Sequence, residues 1–479
     1  MPDSDLPPRY RHPALILAIC CLSLFVVSLD ATVVNVALPS IGRELDAGVS
    51  SLQWTLDGYT LVLASLLVLS GSLGDRFGRR RVFQLGLVLF GLGSLACSLA
   101  PDAGSLIAAR VFQAVGGSML NPVSLSIVTA TYTDAAARAK ALGVWGAVAG
   151  VSLGAGPLVG GLLTQTVGWR SIFWVNVPIV LVALTLTALF VPDSRAARRR
   201  RVDVVGQVLV VLLLAGTVFG LIEGPSLGWT SPATLAAFTI AVAALVGFLL
   251  VEPRRREPLV DPRFFASVPF SSAFLVAVVS FGAWSAFLFA STLYLQDARG
   301  LSPLATGLLF LPAGVAILLS SPLSGRLVAS TGTRLPLTLA GAAIAASAVL
   351  LLFVTQESPV ALVAVVVGVF ALGFGLVNAP ISEIAVDGMP KDQSGAAAAV
   401  SSTARQIGVA LGIALAGSIT GASESGRVDA SFAADARPLW WLTLAAGLLV
   451  VALASLSSSR WAGRSSERVG RLVAEPAGP

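Results

Sequence analysis

The sequence predicts an all-α membrane protein of about fourteen transmembrane helices, built as two six-helix bundles with two extra helices between them. Three observations lead there. Of 479 residues 56% are apolar and only 12% are charged, whereas soluble domains carry roughly 25% charged residues. Apolar runs long enough to cross a bilayer recur from Ala14 to Leu456 with short polar gaps. A segment that follows the second run is also echoed eight runs later.

In chain order the runs place spans at 14–38, 52–74, 82–100, 105–129, 139–164, 172–191 and 203–223. A second set falls at 232–251, 270–295, 304–325, 335–354, 359–386, 397–420 and 437–457. Each is expected to be a helix, because lipid offers no partner to unpaired backbone groups and only helices or closed barrels satisfy their own. The 47 Gly and 26 Pro do not argue against this, since both are tolerated in membrane helices. The first run follows a short polar tail, holds Asp30 and continues directly into more apolar chain, so it reads as a span and not as a cleavable signal. Cys20, Cys21 and Cys97 all lie in apolar runs without metal-type spacing, which implies neither a disulfide framework nor a metal site.

The gaps after even-numbered spans hold Arg76, Arg79, Arg80 and Arg81, then Arg138 and Lys140, then Arg195 and Arg198 to Arg201, then Arg254 to Arg256 and Arg263. With both tails included, 24 of the 31 Lys and Arg fall on that side and five on the other. The excess marks the cytoplasmic face of a cell membrane, with both termini inside. Trp54, Trp169, Trp174, Trp229, Trp440 and Trp441 then gather near the outer ends of spans, as an interfacial belt does. The net charge of +6 is accounted for by this topology, and no basic stripe with interleaved aromatics points to nucleic acid.

Gly71-Ser-Leu-Gly-Asp-Arg-Phe-Gly78-Arg-Arg80 is echoed by Gly325-Arg-Leu-Val-Ala-Ser-Thr-Gly332-Thr-Arg334, an offset of 254 residues. Two parallel halves separated by a helix pair give that offset, with a central site at their interface. The division expected is a tail at 1–13, one bundle at 14–194, two linker helices with basic flanks at 195–263, a second bundle at 264–457 and a tail at 458–479. Both tails are expected to be cytoplasmic.

Charges inside the spans are costly and mark candidate sites. Asp30 lies about 12 Å below the outer end of its span, and Asp57 and Arg110 each about 8 Å below theirs, at 1.5 Å per residue. All three can share one depth. A guanidinium beside a carboxylate favours the charged form and burial the neutral form, so moving the guanidinium or admitting water transfers a proton. His12, in the tail, is the only histidine, so a relay within the spans must use carboxylates. Either Asp30 or Asp57 carries the proton and Arg110 discharges it, or Asp57 merely sits at a wet helix end while Asp30 bonds locally to Thr32 or Asn35. Glu223 and Glu383 lie near span ends, where water satisfies them. Trp145, Trp284 and Arg405 line a cavity or serve packing.

These residues carry a family resemblance. Gly71-x-Leu73-x-Asp75-Arg76-x-Gly78-Arg79-Arg80, Leu29-Asp30-x-Thr32-x-x-Asn35-x-Ala37-Leu38-Pro39 and Arg110-x-x-Gln113-x-x-Gly116-Gly117 form its first part. Gly150-x-x-x-Gly154-x-Gly156-Pro157-x-x-Gly160-Gly161, Trp169-Arg170-x-x-Phe173-x-x-Asn176-x-Pro178 and Arg405-Gln406-x-Gly408 complete it. With these the chain resembles the fourteen-helix drug:proton antiporter branch of the major facilitator superfamily, over nearly its whole length. Ala114 stands where that family usually has Gly.

The resemblance implies export of organic compounds, drugs, antibiotics or dyes of amphipathic or cationic character, in exchange for protons. It implies a conformational gate at Gly71, Asp75, Arg76, Gly78, Arg79 and Arg80, where a plainer reading of the arginines is topology alone. The gate is expected to latch the halves together on the inside, and to be one-sided, since Ala329 and Ser330 replace Asp75 and Arg76 in the echo. The span-five pattern is associated with antiport, although small residues four apart are also the commonest way for membrane helices to touch. Substrate-cavity candidates are Asn35, Gln113, Trp145, Trp284 and Arg405. No cofactor or metal is expected, the working unit is expected to be one chain, and its partners are a small organic molecule, protons and lipid.

Proton-coupled uptake on the same scaffold is the alternative within transport. A membrane enzyme would need a constellation at a membrane face, and no loop carries a His, Cys or metal cluster. An ATP-driven pump would need a Gly-rich phosphate loop in a soluble domain. A channel would show a pore motif and subunit symmetry in place of two unlike halves.

Overall fold

The computed structural model describes residues 12–194, 203–255, 261–387, 394–420, 428 and 431–474. The tail up to residue 11 and Arg195, Arg198 to Arg201, Arg256 and Lys391 lie outside the described residues. Helices account for the architecture, and no strand occurs among the described residues. The first seven long helices are α1 Pro13–Leu45, α2 Val49–Phe77, α3 Arg79–Ser98, α4 Ala103–Thr131, α5 Ala135–Thr166, α6 Ser171–Phe190 and α7 Val204–Leu227. Then come α8 Pro232–Val251, α9 Val268–Leu293, α10 Pro303–Thr331, α11 Arg334–Leu352, α12 Val360–Val386, α13 Ser394–Ile419, α14 Phe432–Ser457 and a final α15 Arg460–Ala474.

Thirteen of these are long and apolar enough to cross a membrane among the described residues. The remaining expected span is α13, whose 26 residues rise about 39 Å at 1.5 Å each, with Arg405 and Gln406 diluting its apolar character. Side chains such as Leu189, Val242 and Phe353 stand more than half exposed on outward faces, a surface suited to lipid and not to water. The protein is a multi-pass membrane protein.

Local chemistry explains where the elements start, stop and bend. Asp102 caps α4 by accepting from the Ser105 amide at 2.8 Å, with the Ser105 side chain closing the box. Gly78 joins α2 to α3 at φ +109, and Gly332 joins α10 to α11 at φ +77, both in the left-handed region that favours glycine. The two sequence echoes are therefore the same turn. Helix α6 is interrupted at Val175, so Pro178 falls in the first turn of Asn176–Phe190, where a missing N–H removes no helical bond. Helix α10 is likewise interrupted at Phe310, and α9 ends in a π turn, Tyr294–Ala298.

Packing repeats as the sequence echo does. Helix α1 packs on α5, α2 on α4, α3 on α4 and α3 on α6, and their counterparts eight helices on make the same pairs: α9 on α13, α10 on α12, α11 on α12 and α11 on α14. The halves meet through α2 with α13 and, by the same pseudo-symmetry, α10 with α5. Helix α7 fills the side of the α2/α13 seam, and α8 packs on α7. Glu223 is held by protein at the end of α7, accepting from Trp54 Nε1 at 2.7 Å and Ser50 Oγ at 2.9 Å.

The seam is closed at one end only. One apolar cluster runs from Val33–Ile41 of α1 and Leu52–Leu56 of α2 into α9, α10 and α12, whereas the deeper residues Ile16–Val27, Val82–Leu87 and Leu120–Val128 cluster within the first half. At the arginine-poor end Arg43 pairs with Asp297 at 3.1 Å, Gln53 donates to the Ile413 and Ala414 carbonyls, and Gln296 donates to the Val36 carbonyl. The glycines of α5 measure how the gap widens. A methyl at Gly161 would overlap the Pro303 carbonyl, and one at Gly154 would lie 2.6 Å from Gly314 Cα. At Gly150 the nearest atom is Ile317 Cγ2 at 4.0 Å, and at Gly146 and Gly143 nothing stands within 4 Å.

Candidate proton-coupling site

The site is assembled by five helices of the first half. Asp30 of α1 accepts from Arg110 Nη1 of α4 on Oδ2 at 2.5 Å. Its other oxygen accepts from Gln113 Nε2 at 3.0 Å and from Asn176 Nδ2 of α6 at 2.9 Å. Ser94 Oγ of α3 accepts from the same two amides, at 2.7 Å from Gln113 and 3.2 Å from Asn176. Arg110 is tied further by Nη1 to Gln113 Oε1 at 2.7 Å and by Nε to the Thr55 carbonyl of α2 at 3.2 Å. Its guanidinium lies over the Tyr59 ring at 3.9 Å, a cation–π contact. Asp30, Gln113 and Ser94 are fully buried, and Arg110 and Asn176 are 1% exposed.

The i, i+3 spacing of Arg110 and Gln113 puts both on the α4 face that meets α1. The interruption at Val175 turns Asn176 inward from the start of a helical segment. An isolated charge in this setting would cost several kcal/mol, and it is the mutual pairing with extra hydrogen bonds that makes the arrangement tenable. The carboxylate is held by three donors, of which Arg110 alone carries a charge.

Asp57 stands apart from that network. It is fully buried, and neither of its oxygens has a hydrogen-bond partner among the described residues. It shares the α2 face of Gln53 and Leu61, one helical turn from each, and those side chains meet α13 and α7. Of the two aspartates expected as proton carriers, Asp30 is the one paired with Arg110 in this structure. Thr32 bonds to the Ser28 and Leu29 carbonyls and Asn35 Nδ2 to the Ala31 carbonyl, so the local bonding of Asp30 to either residue is not what is seen.

The residues expected to form a gate are engaged within their own half. Asp75 pairs with Arg79 at 3.0 Å, Arg80 Nη2 donates to the Ala188 carbonyl at 2.5 Å, and the Arg79 amide bonds to Ser194 O at 2.9 Å. Arg81 lies 3.7 Å from Asp193, whose carboxylate stands where a Gly78 side chain would go. Gly71 approaches Pro122, while Arg76 lies exposed over Phe77. The α5 residues Gly156 and Gly160 let Thr32 and Val33 of α1 approach, Gly154 and Gly161 abut α10, and the Pro157 carbonyl lies against Gly307.

Among the cavity candidates, Gln113 is consumed by the Asp30 network and Trp145 Nε1 donates to Ser124 Oγ at 3.3 Å. Trp284 stacks on Phe374 at 4.8 Å and 13°, next to Phe287 and Phe370. Arg405 Nη2 donates to Ser382 Oγ at 2.9 Å and its guanidinium lies 5.7 Å from the Phe281 ring. Bonding capacity stays unused on Asn35 Oδ1, Trp284 Nε1 and Arg405 Nε among the described residues. Asn176 and Ser94 were missed as site residues. Asn176 was visible only as part of a motif, and a lone serine in a membrane helix gives no signal.

Comparison with known proteins places this geometry. A family model described as Major Facilitator Superfamily matches residues 20–413. The multidrug resistance protein Stp of Mycobacterium tuberculosis (strain ATCC 25618 / H37Rv) is 37% identical over 419 residues, which cover 88% of this chain and 78% of that protein. The methylenomycin A resistance protein of Streptomyces coelicolor is 37% identical over 86% of each chain. The tetracenomycin C resistance and export protein of Streptomyces glaucescens is 34% identical over 87% of this chain and 77% of its own length. A match of that extent, on a helix repeat closed around Asp30 and Arg110, makes the chain a member of the major facilitator superfamily.

Proposed function

We propose that this protein is a secondary active transporter that exports organic compounds in exchange for protons, by alternating access to a site between its two halves. The reading rests above all on the Asp30–Arg110 pair, a carboxylate and its counter-charge sealed in the first half beside a seam that is shut at one end and parted at the other. Protonation of Asp30 removes the charge that Arg110 pairs with, leaving the guanidinium held only by Gln113 Oε1 and the Thr55 carbonyl. The three helices bonded through that carboxylate, α1, α4 and α6, then shift relative to one another. Asp57, unpartnered beside α13, is the second acid able to take a proton as the seam changes.

The relatives named for multidrug resistance and for tetracenomycin C export support organic compounds as cargo and outward movement. Asn35, Trp284 and Arg405 hold the unused bonding groups and are the preferred cavity residues. The bodies that rock are 14–194 and 264–457, with the helices of 195–263 between them and the tails 1–13 and 458–479 in the cytoplasm. When the arginine-rich ends close, Asp75 exchanges Arg79 for a partner on the other half, within the gate made by Gly71, Asp75, Arg76, Gly78, Arg79 and Arg80. The glycines of α5, Gly150 to Gly161 around Pro157, keep the opposite end tight against proton leak.

Everted vesicles holding the protein test this directly. Ethidium, tetraphenylphosphonium or an aromatic polyketide added to vesicles with an imposed proton gradient is expected to dissipate it, and Asp30→Asn is expected to abolish the effect. Dissipation that survives Asp30→Asn, or its absence across the panel, rejects the coupling. Movement of proton and compound in the same direction would establish uptake instead.

A further inference from the structure

Helix α15, Arg460–Ala474, follows the last membrane span and has no part in the chemistry above. Its segment carries Arg460, Arg464, Arg468 and Arg471 against one acid, Glu467. One side is buried, with Ala462 at 0%, Ser466 at 6% and Val469 at 1% exposure, and Val469 packs with Phe264, Phe270, Ala397 and Val400. Two hydrogen bonds fix its height. Ser465 Oγ accepts from the amide of Val268, the first residue of α9, at 3.0 Å, and Ser466 Oγ donates to the carbonyl of Asp387, the residue after α12, at 3.1 Å. Both partners are ends of membrane-spanning helices, so α15 lies along the bilayer surface at the arginine-rich end of the bundle. Trp461 comes four residues after Ser457, where α14 leaves the membrane.

Trp461, Arg464 and Arg468 are exposed and fall on one stripe of the helix by their i, i+3, i+7 spacing. An indole with an apolar body and a polar tip belongs at headgroup depth. A guanidinium presents a planar fork that matches phosphate oxygens in pairs. We propose that Trp461, Arg464 and Arg468 form a binding site for the headgroup of an anionic phospholipid. The occupant is a lipid because the stripe stands at the level where headgroups are unavoidable neighbours, and anionic because the segment's charge is basic. Through Ser465 and Ser466 an occupied site braces the ends of α9 and α12. The site does not depend on what is transported.

The full chain offers a clean reporter. A side chain at Gly463 meets nothing within 4 Å, and Cys20, Cys21 and Cys97 are all buried, so Gly463→Cys takes an environment-sensitive fluorophore selectively. Phosphatidylglycerol titrated into the labelled protein in neutral detergent is expected to give a saturable signal that phosphatidylcholine and inorganic phosphate do not. The Arg464→Gln/Arg468→Gln pair is expected to weaken that binding at least tenfold, and the Arg464→Lys/Arg468→Lys pair to restore most of it. An equal response to phosphatidylcholine, a response to inorganic phosphate alone, or a Gln pair that binds unchanged overturns the site. So does a Lys pair as weak as the Gln pair, which would mean that positive charge at these positions plays no part in the binding.

Discussion

Arg110 is the residue on which the buried network turns, because its fork reaches Asp30, Gln113 and the Thr55 carbonyl at once. Arg110→Ala leaves Asp30 buried without its counter-charge, and removal of one partner from such a pair costs about 3–5 kcal/mol. A marked drop in thermal stability of the purified protein is therefore expected. Arg110→Lys keeps the charge but loses the planar fork whose Nε reaches the Thr55 carbonyl while Nη1 reaches Asp30 and Gln113. It is expected to fold yet to lose at least tenfold in proton-coupled transport, and wild-type rates in that variant would mean that charge alone suffices. The pair itself was legible in the sequence, since a carboxylate and a guanidinium in apolar runs have few places to go. Its neutral partners were not. Asn176 and Ser94 are short polar groups of the kind that membrane helices often bond to their own backbone, so only the fold shows that Asn176 reaches Asp30 and that Ser94 holds the two amides beside it. For the same reason the depth estimate could not separate Asp57 from Asp30: equal depth says nothing about which face of α2 a side chain occupies.

At the scale of single helices, α5 is the element whose small residues matter most. Its contact with α10 is backbone against backbone at Gly154 and Gly314 and opens to empty space by Gly146. Close approach of this kind replaces side-chain packing with direct dispersion contact between helices, and a bulky residue removes it. Gly154→Leu is expected to spread the arginine-poor end and reduce efflux of a fluorescent dye at least tenfold, while Gly143→Leu leaves thermal stability within the error of the wild type in this conformation. Equal loss of stability in the two would place the effect in helix propensity and not in the seam. The glycine pattern of α5 was readable in the sequence, but its partner was not, because Gly307 and Gly314 of α10 form no pattern that stands out among 47 glycines. Span limits were legible to within a few residues. The interruptions at Val175 and Phe310 were not, since each lies inside an unbroken apolar run, where hydropathy is blind to a local turn.

For the molecule as a whole, the parallel repeat predicted from two short echoes reappears as matching helix pairs and as two positive-φ glycine turns, Gly78 and Gly332. What no sequence discloses is which end of the seam is shut, because under the proposed alternating access the same side chains would serve both closures, separated by a small free-energy difference. Here the shut end is held by Arg43 with Asp297 across the halves, a pair whose side chains are 59% and 25% exposed and whose intrinsic worth is accordingly about 1 kcal/mol or less. A weak exposed pair suits the seam opening that the proposed alternating access requires. Arg43→Cys with Asp297→Cys, joined by a short bis-thiosulfonate reagent that each thiolate attacks with loss of sulfinate, turns the weak contact into a covalent one that a reductant cleaves. If export requires this end to open, cross-linking is expected to stop dye efflux completely while substrate binding from the arginine-rich side persists, and cleavage of the reagent should restore efflux. The uncross-linked double variant should transport at close to the wild-type rate, since it gives up only a surface ion pair. Efflux that continues at full rate through the cross-linked protein would show that the halves need not part at Arg43 and Asp297, and that cargo leaves by a route that does not run along this seam.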